Sequence, residues 1–77
     1  MNAQRRKSID EAMAKVAEAL AIIEEVYEAE EEAYENLPES LQYSERGEQM
    51  QESVSALESA VGACEELDTY LEEAKGE

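Results

Sequence analysis

Carboxylates are the most abundant reactive side chains in this sequence, and their spacing is regular. Glu24, Glu28, Glu31 and Glu35 recur at i, i+4, i+7 and i+11. On a helix that spacing makes a single row with neighbours about 5–6 Å apart. Glu25 and Glu32 lie beside this row. Glu58, Glu65 and Glu72 form a second row, with Glu52, Glu66 and Glu73 next to it. A rigid row of this kind matches the phosphate spacing of a nucleic-acid strand to within a factor of about two. It is equally the pattern of a solvated, solubilising helix face. Glu-x-x-Glu pairs occur at Glu25/Glu28, Glu28/Glu31, Glu32/Glu35 and Glu45/Glu48. A di-iron site in a helical bundle needs inward-pointing Glu-x-x-His pairs. The sequence has no histidine, and these glutamates are expected on the outside, where cations bind weakly and unspecifically.

Without histidine there is no imidazole proton shuttle, no Ser-His-Asp arrangement and no His-containing zinc site. Cys64 is the only cysteine. It forms no internal disulfide, falls on an apolar helical stripe and reads as a small core residue. Gly47, Gly62 and Gly76 are isolated and make no phosphate-binding loop. Tyr27 and Tyr34 lie on either side of Glu30 on an apolar stripe and are expected to fill the core near a turn. Glu30 and Asp68 interrupt that pattern. Each either sets helix register, as buried polar residues do in coiled bundles, or rotates out to water. No catalytic, cofactor-binding or metal-binding residues are assigned, and the chain is expected to catalyse nothing.

Charge narrows the choice of partners. The chain has 21 acidic and 6 basic residues, a net charge of −15. Such a surface repels nucleic acid and anionic membranes and attracts basic proteins or cations. Direct nucleic-acid binding through phosphate contacts is therefore not expected. Arg5, Arg6 and Lys7 are followed by Asp10, Glu11, Lys15 and Glu18 rather than by an apolar stretch. Neither a secretory signal nor a membrane span is expected, and the expected location is the cytosol.

The elements that hold these side chains follow from the apolar spacing. Ile9, Met13, Val16, Leu20, Ile23 and Tyr27, then Tyr34 and Leu37, advance in alternating steps of four and three. That is a heptad with these residues at a and d. Met50, Val54, Leu57, Val61, Cys64 and Leu71 repeat the pattern. The spacing predicts a helix over about 8–36, a turn over about 37–43 with room for one turn of helix, and a helix over about 44–74. Ser8 with Glu11 resembles a capping box, although nothing at Asn2–Lys7 forbids an earlier start. Pro38 stops the first helix, and Ser44 caps the second. A connection this short makes the helices antiparallel neighbours in a single all-α hairpin domain. Arg5–Lys7 are then expected beside Glu72, Glu73 and Glu77, as a local charge complement.

Both stripes widen on the same side. Ala12, Ala19, Val26 and Ala33 continue the first through position g, and Ile22 and Ala29 through position c. On the second, Ser53, Ala60, Leu67 and Ala74 occupy g, with Ala56, Ala63 and Tyr70 at c. A face this wide suits two neighbours, and a chain this small without disulfide or metal needs a further source of burial. A homodimeric four-helix bundle is expected. Residues 53–63 are nearly uncharged, and Ser55, Ala56, Ser59, Gly62 and Ala63 form a small-residue patch. That patch reads as a docking site, as the dimer contact itself or as tolerated surface.

The segment Glu35-Asn36-Leu37-Pro38-Glu39-Ser40-Leu41-Gln42, with Ser44-Glu45-Arg46-Gly47-Glu48, resembles a turn found in short acidic coiled-coil proteins of phages and prophages of Gram-positive bacteria. In those too, a basic N-terminus and an acidic helix precede the turn and a second acidic helix follows. The resemblance implies a small accessory protein in the cytosol of a bacterial host, and it carries over no functional residues. Two readings follow. The first is a non-catalytic interaction module that binds a host or phage protein. The second is an acidic inhibitor that imitates nucleic acid and blocks a DNA-binding or defence protein, of anti-restriction or anti-CRISPR type.

Overall fold

A computed structural model of the protein describes residues 1–76. Helix α1 spans Ala3–Glu35, α2 spans Glu39–Gln42 and α3 spans Glu45–Lys75. Lys75 meets Asp10 at one end, and Gln51 meets Tyr34 at the other. The long helices are therefore antiparallel, and the hairpin is a rod of 58 × 15 × 13 Å.

Helix α1 begins earlier than about residue 8. The Asn2 side-chain oxygen accepts from the Arg5 backbone N–H at 2.8 Å and caps the helix there. Residues 3–7 are good helix formers, so once Asn2 supplies a cap nothing delays the start. Ser8 lies inside the helix, where its hydroxyl donates to the Gln4 carbonyl. Because Lys75 at the end of α3 is level with Asp10, the first turns of α1 project beyond α3. Arg5, Arg6 and Lys7 thus make no ion pair among the described residues, against the expectation that they sit beside Glu72 and Glu73. Glu77, the third acid of that expectation, lies outside the described residues.

The turn is tightly built. Asn36 caps α1, and its N–H donates to the Glu32 carbonyl. The Gln42 side-chain amide donates to the Leu37 carbonyl at 3.1 Å and reaches that of Tyr34 at 3.5 Å, covering carbonyls that the end of a helix leaves without partners. Ser44 caps α3 by accepting from the Gly47 N–H at 3.3 Å, and its hydroxyl donates to the Leu41 carbonyl. Gly47 is the one fully buried residue among those described. A Cβ there would fall 2.6 Å from the Leu41 carbonyl oxygen and press on the Gln42 carbonyl. Glycine is what allows α2 to lie against the first turn of α3.

Along the rod, the seam is made by the a and d residues. Ile9, Met13, Val16, Leu20, Ile23, Tyr27, Tyr34 and Leu37 of the first half meet Met50, Val54, Leu57, Val61, Cys64 and Leu71 of α3, all of them half-buried. Glu30 is half-buried at its d position, whereas Asp68 is exposed. None of the described hydrophobic side chains is fully buried. The accessible surface is 5695 Å², where a folded monomer of 8.6 kDa exposes about 4700 Å². The radius of gyration is 17.3 Å, against roughly 11–12 Å for a globular chain of this length. As a single copy, the hairpin leaves about 1000 Å² more surface in water than its mass warrants.

Candidate functional site

The seam divides the rod into two flanks of opposite character. On one side, position e brings Glu24 and Glu31 of α1 towards Glu58, Glu65 and Glu72 of α3, by the periodicity of the helices. Glu31, Tyr34, Glu35, Gln51, Val54, Ser55 and Glu58 line an open groove there. Tyr34 is part of that lining, and Tyr27 is tied to it through Glu31. The Tyr27 hydroxyl donates to a Glu31 carboxylate oxygen at 3.1 Å, and the Tyr34 hydroxyl accepts from the Gln51 amide at 2.8 Å. The hydrogen bond to Glu31 holds the Tyr27 hydroxyl above its ordinary value of 10.0, with lesser help from burial and from the charges of Glu31, Glu58 and Glu35. Carboxylates from both helices thus act on one phenol.

The opposite flank is apolar. Val26, Ala29, Glu30, Ser53, Ala56 and Leu57 line a second open groove. Exposed large side chains run along the same side, with Ile22 59% exposed, Val26 49%, Leu67 44% and Tyr70 63%. These are the g and c residues, and in a lone hairpin they face water.

The six glutamates picked out in α1 do not all share one surface. Glu24, Glu28, Glu31 and Glu35 follow the acidic flank, and Glu31 is the half-buried member. Glu25 and Glu32, at position f, lie round the back of α1 and border the apolar flank. The small-residue patch is divided as well. Ser55 lines the acidic groove, Ala56 lines the apolar one, and Ala63 belongs with Ala56 at position c. Ser59 and Gly62 are exposed on the outer face of α3, and a Cβ at Gly62 would meet nothing within 4 Å.

The acidic row stands where it opposes helix stability. In α3, Glu45 and Glu48 occupy the first turn and Lys75 the last, in keeping with the helix dipole. In α1 the first turn has no acid and the last turn no base. Glu31, Glu32 and Glu35 instead crowd its negative end, as like-charged neighbours three and four residues apart.

Gln42 and Gly47 hold the turn; both belong to the turn motif, but nothing in the sequence marks their roles. The Leu-Gln and Arg-Gly pairs beside Ser44 show no periodicity, and the need for glycine appears only when α2 is laid against α3. Among the described residues, no group of three or more acids and thiols converges as a metal site. No helix among the described residues is long and apolar enough to cross a membrane. Comparison with protein-family models, curated proteins and solved structures gives no match.

Proposed function

We propose that this chain is a non-catalytic protein-interaction module that pairs with a second copy of itself as a four-helix bundle. In this reading it is a small accessory protein of phage or prophage type, acting in the cytosol of a bacterial host on a host or phage protein. The supporting observation is the unfinished core: every apolar seam residue is half-buried, and a second apolar strip stands open beside the seam. A second hairpin laid on that strip deepens the seam and leaves the acidic flank facing solvent. That flank is then the surface offered to another protein, and its charge selects a basic one.

One observation favours a second reading. The Glu24–Glu35 row runs into the negative end of α1 at Glu31 and Glu35, and sequences break such local rules at functional sites. An acidic inhibitor that occupies the nucleic-acid groove of a DNA-binding or defence protein would use such a row. Sedimentation velocity on the purified chain tests the common foundation of both readings. A dimer at micromolar concentration is expected, and a stable helical monomer would refute it. Pull-down from a bacterial lysate then separates the two. Binding that falls steeply with salt and is lost on Glu24/Glu28/Glu31/Glu35→Gln assigns the partner to the acidic flank, and displacement of that partner by duplex DNA supports nucleic-acid imitation. Binding indifferent to these changes supports an uncharged docking surface.

A further inference from the structure

Resting on the homodimer reading, we infer that the second copy covers the apolar flank with its direction reversed, so that each turn lies beside the partner's open end. The area is adequate. One whole side of a rod 58 Å long and 13–15 Å across measures roughly 800 Å², the size of a standard interface, and the apolar flank occupies the central part of such a side.

Charge selects the direction. Residues 22–63, the turn half, carry twelve acids against Arg46 alone. The remaining residues carry nine acids against five bases. A parallel dimer would set the two turn halves side by side and concentrate most of the repulsion at one end. The reversed arrangement places each turn half against the half that holds Arg5, Arg6, Lys7, Lys15 and Lys75. Coulomb repulsion grows with the product of the facing charges, so the reversed dimer is favoured.

Shape selects the same direction. The contacts Lys75–Asp10 and Gln51–Tyr34 place Ile22 and Ala63 at one height, near the middle of the rod. A two-fold axis across the rod at that height aligns the two copies end to end. It lays α1 on the partner's α1 and α3 on the partner's α3. Ile22 then meets the partner's Ile22, and Ala63 the partner's Ala63. Each remaining large side chain meets a small one: Val26 the partner's Ala19, Leu67 the partner's Ala60, Tyr70 the partner's Ala56. Heptad spacing alone does not require this alternation. Tyr70, which is 63% exposed, so finds the groove lined by Ala56.

The orientation is read by distance. In a Cys64→Ala background, a nitroxide is attached at Ser40→Cys in the turn and measured by pulsed dipolar EPR, with sedimentation of the unmodified chain alongside. A reversed dimer gives a separation comparable with the 58 Å rod. A parallel dimer gives roughly 10–20 Å, one to two interhelical spacings, and overturns the orientation while leaving the dimer intact. A monomeric unmodified chain overturns the underlying reading instead. A second test exchanges the paired residues. Tyr70→Ala is expected to weaken dimerisation at least tenfold, and Tyr70→Ala/Ala56→Tyr to recover most of that loss. An exchange that restores nothing overturns the pairing of α3 with α3.

Discussion

Glu24, Glu31, Glu58 and Glu65 emerge on one side of the α1–α3 seam, while Ile22, Val26, Leu67 and Tyr70 emerge on the other. Both flanks are set by the same two heptads and stand the same distance from the same core residues. Their physical demands are opposite. The apolar flank holds side chains that gain free energy by leaving water, so it calls for a covering surface. The acidic flank holds like charges that repel one another and oppose the α1 dipole, so in isolation it weakens the fold. A seam flanked by polar residues on both sides would make a hairpin complete in itself. In the proposed dimer, this asymmetry gives the hairpin one side for its own kind and leaves the other facing outward.

A single charge on each side breaks the comparison most directly. Val26→Arg puts a cation in the middle of the apolar strip, at a residue 49% exposed in the single hairpin. The proposed dimer should weaken by about 100-fold, in the range of a central interface residue. Glu58→Arg, across the seam, should leave dimerisation unchanged. Equal effects in sedimentation equilibrium would show that the flanks are not functionally distinct. Next in size is Gly47→Ala, which acts on both flanks at once through the turn. Its Cβ would press on the Leu41 and Gln42 carbonyls, backbone that cannot rotate away. Overpacking of this kind costs about 1–3 kcal/mol, and a urea titration should register it with helix content little changed.

Gly62→Ala asks whether the outer face of α3 is a third surface. A Cβ at Gly62 meets open space, so alanine should stabilise the chain by about 1 kcal/mol through helix propensity. Partner binding that is lost while the melting temperature rises would assign this face to the partner. Smaller again, per residue, is Glu24/Glu28/Glu31/Glu35→Gln. Each like-charged neighbour relieved should return about 0.2–0.5 kcal/mol, so the variant should melt higher than the wild type, most clearly at low salt. A lower melting temperature would mean that the row supports the fold, removing the dipole argument for its functional use.

The apolar flank was legible because it lies in periodicity: positions g and c read largely apolar on both helices, and the exposed Ile22, Val26, Leu67 and Tyr70 stand there. The glutamates were legible only as an outer face, and their place along the other side of the seam appears once the helices are paired. The helix register was legible for the same reason as the apolar flank, and the Ser44 cap from its residue type ahead of Glu45 and Glu48. What escaped was set by particular contacts. Asn2 outcompetes Ser8 as the cap of α1 because residues 3–7 are helix formers that only a cap could release. Arg5–Lys7 make no ion pair with Glu72 or Glu73 among the described residues because α1 overruns α3, an offset no heptad reveals. Gly47 looks like a stray glycine until α2 is packed on it. The acidic row and the small-residue patch were visible as composition, but their division between surfaces appears only once both helices share an axis.

Alkaline titration makes the finest distinction, because one ionisable contact lies on the acidic flank and another at the open end. Tyr27 is held above its ordinary value of 10.0, chiefly by the hydrogen bond to Glu31. Lys75 is held above 10.5, chiefly by its hydrogen bond to Asp10 at 2.9 Å. Both groups have raised values in the folded chain, so in the unfolded chain each loses its proton at lower pH. Their contributions are therefore complete below the ordinary values and lost as pH rises through the raised ones. The melting temperature should fall above about pH 10, and Tyr27→Phe and Lys75→Met should each flatten part of that fall. If Tyr27→Phe leaves the alkaline limb unchanged, the contact with Glu31 adds nothing, and the acidic flank is held only by the seam beneath it.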